Sequence, residues 1–144
     1  MKFYIATILL VSLSTSVMSA TDLGKKALKF VPDGAVQGVD RDEVMIKTKA
    51  GGLIEVELTK DGDLEEASGN MVETDTFAPG NGLLPLNEAV ASMKKQGKNV
   101  SGEWSLDKDF LRDWEYEFEG AENGKQYEYS MNAKTGKLVK SEAD

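Results

Sequence analysis

Two stretches of the chain carry apolar residues at helical spacing, and each is followed by runs in which apolar and polar residues alternate. Leu23, Ala27, Phe30 and Val31 fall on one face of a helix that Thr21 or Asp22 can cap and Pro32-Asp33-Gly34 stops. Beyond it Val44 and Ile46 alternate with Met45 and Lys47. Ile54, Val56 and Leu58 then alternate with Glu55, Glu57 and Thr59, the pattern of a half-buried strand. Ala50-Gly51-Gly52 and Asp61-Gly62 turn the chain, and Leu64 begins a short extension. The second stretch repeats this order. Pro85 suits a first helical turn, and Leu86, Ala89, Val90 and Met93 form one apolar stripe. Lys94, Lys95 and Lys98 favour its C-terminal end, and Gly97 ends it. Val100 to Leu106, Trp114 to Phe118 and Tyr127 to Met131 alternate as strands. Asn123-Gly124 makes a hairpin turn, and Lys134-Thr135-Gly136 leads to Leu138 and Val139.

This order predicts an α+β fold of two units, each a helix on a small antiparallel sheet, at 21–68 and 83–144. The stretch 69–82, rich in Gly, Asn and Pro, reads as the linker. The two passes align loosely as an internal duplication: Val36-Gln37-Gly38 answers Val100-Ser101-Gly102, and Asp61-Gly62 answers Thr135-Gly136. The alternative is one continuous sheet with a single core. In the second unit Leu86, Ala89, Val90, Met93, Trp114, Tyr116, Phe118, Tyr127 and Tyr129 are expected to meet between helix and sheet.

Residues 1–20 change the picture from a bare domain to an exported one. Lys2, the apolar run Phe3 to Val11 and the small residues Ser19 and Ala20 read as a secretory signal, cut after Ser19 or Ala20. The run is short of the roughly 20 apolar residues of a spanning helix, so no stable membrane anchor is expected after cleavage.

The chain carries 17 Lys plus Arg against 25 Asp plus Glu, a net charge of −8. That balance argues against nucleic acid and against an anionic membrane surface as partners, since both need clustered cations. The chain has neither Cys nor His. Thiolate chemistry, disulfides and Cys-ligated zinc are excluded, and the commonest general base and metal ligand are missing. Neither Asp61-Gly62-Asp63 nor Asp107-Lys108-Asp109 has the spacing of an EF-hand loop. Gly120 to Lys125 departs from a phosphate loop in spacing and lies in a hairpin. The residues point away from an enzyme, and no cofactor is expected.

The string Leu84-Pro85-Leu86-Asn87-Glu88-Ala89-Val90 resembles the start of the helix of the PepSY family, and Trp114–Phe118 and Tyr127–Met131 resemble its central hairpin. Asn132-Ala133-Lys134-Thr135-Gly136-Lys137-Leu138-Val139 is similar to the family's closing signature, an Asp-Ala-x-Thr-Gly-x string with two apolar residues. Asn132 stands where Asp is usual, and Pro85 where Ser or Thr is usual. The resemblance covers roughly 83 to 142; residues 23 to 68 resemble the family more weakly. It implies a non-catalytic module of the kind found in propeptides of secreted metallopeptidases, with another envelope or secreted protein, a peptidase or sensor, as partner. It carries over no catalytic residue.

One surface stands out for such a partner. Glu115, Glu117, Glu119 and Glu128 should point together, away from the aromatic face of the sheet. A solvated face kept charged against stacking is the ordinary reading of such a set. The alternative functions it allows are binding of a divalent metal or of a small molecule.

Overall fold

The computed structural model describes residues 19–70, 76–108 and 113–144. It contains α1 (Ala20–Leu28), β1 (Ala35–Asp40), β2 (Glu43–Lys47), β3 (Leu53–Leu58) and β4 (Leu64–Asn70), then α2 (Leu86–Lys95), β5 (Val100–Lys108), β6 (Trp114–Glu122), β7 (Lys125–Asn132) and β8 (Leu138–Ala143). Each half is thus a helix followed by four strands. The fold is α+β and every strand pair is antiparallel, but the two small sheets expected from sequence are one. All eight strands join in chain order, with β4 paired to β5 across the middle.

The register explains why the sheet does not stop at the boundary. Ile46, Ile54, Gly69, Trp104, Phe118 and Tyr129 stand opposite one another in turn across β2 to β7. Val44, Val56, Ala67, Leu106, Tyr116 and Met131 form a parallel row. Apart from Gly69, both rows belong to one buried cluster, which Leu23, Ala27 and Val31 of the first helical segment and Leu86, Ala89 and Met93 of α2 also enter. Gly69 leaves the space that Trp104 fills: a Cβ there would lie 3.2 Å from the indole ring. Gly69 and Asn70 are therefore strand residues, where the Gly-Asn pair had suggested the start of the linker.

Several local expectations shift by a residue or a degree. Ser19, rather than Thr21 or Asp22, caps α1, its hydroxyl accepting from the Asp22 amide at 3.2 Å. Of the expected export signal, residues 1–18 lie outside those described, and Ala20 is the first residue of α1. Pro85 is the N-cap of α2, not its first helical residue, so the helix has no side-chain cap there. Ala35–Asp40, unassigned from sequence, form an edge strand, β1. In the second half Leu86, Ala89, Met93, Tyr116, Phe118 and Tyr129 are buried as expected, whereas Val90, Trp114 and Tyr127 only line the cluster. Trp114 sits at the start of β6, where the core thins out.

Candidate functional site

The residues of the family-like strings are tied to one another by backbone and side-chain hydrogen bonds. The carboxamide oxygen of Asn132 accepts from the amides of Lys134 and Thr135 at 2.8 and 2.9 Å, so Asn holds the closing turn as an Asp would. The carbonyl of Gly136 then receives Ser92 Oγ of α2 at 2.6 Å and Nε2 of Gln96, the C-cap of α2, at 2.7 Å. Gln96 Oε1 accepts the Leu138 amide at 2.9 Å. At the other end, the Leu84 amide donates to the Ala133 carbonyl, and the Tyr116 hydroxyl donates to the Leu84 carbonyl at 2.7 Å. Burial holds the Tyr116 phenol far above its ordinary range, so it keeps the proton it donates to Leu84. Gly136 has φ 79° and faces Ser92, which explains why Gly ends the Thr-Gly step. The signature residues thus fasten helix to sheet.

The face of the sheet opposite the aromatic rows carries the candidate site. Glu115, Glu117 and Glu119 alternate with buried Tyr116 and Phe118 along β6, so they share that face. Glu128 stands directly opposite Glu119. Glu117 lies between Ser105 and Ser130, and Glu115 between Asp107 and Asn132. The four sequence candidates therefore come together. Glu119 has a local duty as well. The bulge of β5 at Gly102, φ 81°, brings the Glu103 amide within 3.3 Å of its carboxylate.

The structure adds residues from the other half that no local pattern indicated. Glu43, Glu57, Glu66, Asp107 and Glu115 stand opposite one another in turn across β2 to β6, five carboxylates in one row over the seam. A concave depression of about 720 Å³ lies on this face, lined by Met45, Leu53 and Glu55 from the first half and by Glu103, Glu117 and Glu128 from the second. Partial burial, and then repulsion from Asp107, Glu128 and Glu115, push the Glu117 carboxyl up. Glu57 is raised by burial and by Asp42 and Glu66; Glu66 is raised by burial and by Asp107. The field over this face is therefore negative on both sides of the seam.

At one corner the carboxylate oxygens of Asp42, Glu57 and Glu65 lie within 4.8 Å of one another. The sequence motifs noted for calcium do not contribute to it. Asp61 and Asp63 direct their amides to the Thr59 hydroxyl and build a turn, and Asp109 lies outside the described residues. Gly120 to Lys125 form the expected hairpin, with Asn123 at φ 52° and Gly124 at φ 82°. Among the described residues no helix is long and apolar enough to cross a membrane.

Comparison with known proteins agrees with the fastening of α2 to the closing turn. The family model PepSY, described as peptidase propeptide and YPEB domain, matches residues 83–142. No curated protein and no solved structure gives a match. The second half of the chain, from Leu83 through α2 and the four strands that follow, is a PepSY domain.

Proposed function

We propose that this chain is an exported, non-catalytic regulatory module that contacts another envelope or secreted protein through the acidic outer face of its sheet. The observation that carries this reading is the acidic depression on the face left uncovered by both helices. The PepSY match supports a propeptide-like or regulatory role, with a secreted peptidase or an envelope sensor as the partner class. The N-terminal signal pattern supports a periplasmic or secreted location. The shared order of one helix and four strands supports the first half as a PepSY-like repeat of the second. A partner that uses the depression would then touch both.

The test is kinetic. A partner recovered from envelope extract should associate more slowly as salt rises, because exposed charges are screened within about 8 Å at physiological ionic strength. Reversing Glu115 and Glu117 to Lys should slow association by roughly tenfold or more while melting is little changed. Association that ignores both salt and these reversals would move the contact to α2 or to the segment before it.

A divalent cation is the second reading, favoured by the convergence of Asp42, Glu57 and Glu65. Calorimetric titration with calcium should then give heat, and the melting temperature should climb with ion concentration, since a ligand of the native state stabilises it. Silence in both at millimolar ion, an affinity of about 4 kcal/mol, would remove this reading.

A further inference from the structure

An open sheet of eight strands has two edges, and here they are unlike. The β1 edge is broken by an irregularity between Val36 and Gly38, and Val36 lies against Gly24 of α1. Bulges and covering elements of this kind blunt an edge. β8 pairs with β7 in unbroken register from Lys140 to Ala143, its one irregularity lying at Val139, and among the described residues no strand lies on its other side. Val139, on this edge, is 51% exposed.

The hydrogen-bond phase of β8 follows from one contact. The Asp144 amide donates to the Gln126 carbonyl at 3.0 Å. Hydrogen-bonded and non-bonded pairs alternate along an antiparallel ladder. Glu142 and Lys140, opposite Glu128 and Ser130, therefore direct their backbone groups to β7. Ser141 directs its amide and carbonyl to the open edge.

We propose that β8 pairs antiparallel with β8 of a second copy, with Ser141 on the two-fold axis. In that register the two Ser141 residues exchange both backbone hydrogen bonds. Lys140 stands opposite Glu142 of the second copy, and Glu142 opposite its Lys140. The sequence is suited to this symmetry, because the residues flanking Ser141 carry opposite charge. A motive for the pairing lies in the sheet itself. Glu119, Glu128 and Glu142 stand opposite one another in turn, three like charges in a row that ends at this edge. The second copy's lysine continues the row with a cation. Within one chain Lys140 already meets Glu142 at 3.0 Å, but both are more than half exposed, so that pair gives little and is free to re-form across the edge. An unrelated strand would find no such match and would meet the charges that deter edge pairing.

Sedimentation of the purified chain should show a monomer–dimer equilibrium. Lys140→Glu alone and Glu142→Lys alone should each weaken it by roughly tenfold, since every cross-edge charge pair turns repulsive. An equimolar mixture of the two variants should recover a dimer, now mixed, because all its charge pairs are again unlike. Ser141→Pro provides a second route: it removes an edge amide without touching the β7 ladder, and should abolish the dimer at unchanged melting temperature. A native chain that stays monomeric at every concentration, single variants that dimerise as well as the native chain, or a mixture that forms no mixed dimer would each overturn the proposal.

Discussion

Trp104→Ala is expected to destabilise the protein by about 3–5 kcal/mol, the range for removing a buried aromatic side chain. Trp104 is 2% exposed and lies on β5, the strand that joins the second half to the first. Its ring centroid is 5.0 Å from that of Phe77 and 6.2 Å from that of Tyr116. Its indole N–H donates to the Asn70 carbonyl at 2.9 Å, a bond from β5 back to the end of β4. Alanine would empty the space over Gly69 as well, where no neighbouring side chain on β4 can move in. The same change at Trp114, which only lines the cluster, should cost less than half as much. Urea unfolding followed by circular dichroism gives both values. Because the buried rows cross the seam, hydrogen exchange in β2 and in β6 should report the same loss in the Trp104 variant. A loss below about 1 kcal/mol, or protection lost in one half alone, would mean that the two halves have separate cores.

What the sequence disclosed and what it withheld divide along local and long-range order. Alternation around Tyr116 and Phe118 placed Glu115, Glu117 and Glu119 on one face, because a strand's side chains have a period of two residues. The Asn123-Gly124 turn set the pairing of β6 with β7, and so brought Glu128 opposite Glu119. The fastening of the closing turn to α2 was legible only as a resemblance, since the bonds from Ser92 and Gln96 to Gly136 span more than forty positions or close to it. The union of the two sheets stood in the sequence only as the alternative to two separate units. Gly69-Asn70 is loop-forming by composition, and only the bulk of Trp104 on the neighbouring strand makes Gly the fitting residue there. With β4 unassigned, Glu66 could not be set between Glu57 and Asp107, and the acidic row over the seam stayed hidden. Trp114 was expected in the core for a similar reason: the period identifies its face, but not that it opens the strand at the rim.

That row leads to the second large effect, a protein that grows more stable as the medium becomes mildly acidic. Glu57, Glu66 and Glu117 all have carboxyls raised above the ordinary value of 4.5, by burial first and by neighbouring carboxylates second. A raised native pKa means that the folded chain holds the proton more tightly than the unfolded one. The stability this contributes is full below about pH 4.5 and is lost as pH rises through the higher native values. The melting temperature should therefore increase from pH 7.5 to about pH 5. Replacing all three by Gln should reproduce the gain at neutral pH. It relieves three like-charge pairs in register, Glu43–Glu57, Glu57–Glu66 and Glu66–Asp107, together with the repulsion around Glu117. At roughly 0.2–1 kcal/mol per cross-strand pair, reduced because these side chains are partly solvated, the sum is about 2 kcal/mol. Added salt should raise the melting temperature of the native chain and do less for the triple variant, since screening and neutralisation remove the same repulsion. If the native chain instead melts lower at pH 5 than at pH 7.5, the acidic face is not a store of unfavourable charge. A cationic partner would then gain nothing from relieving it.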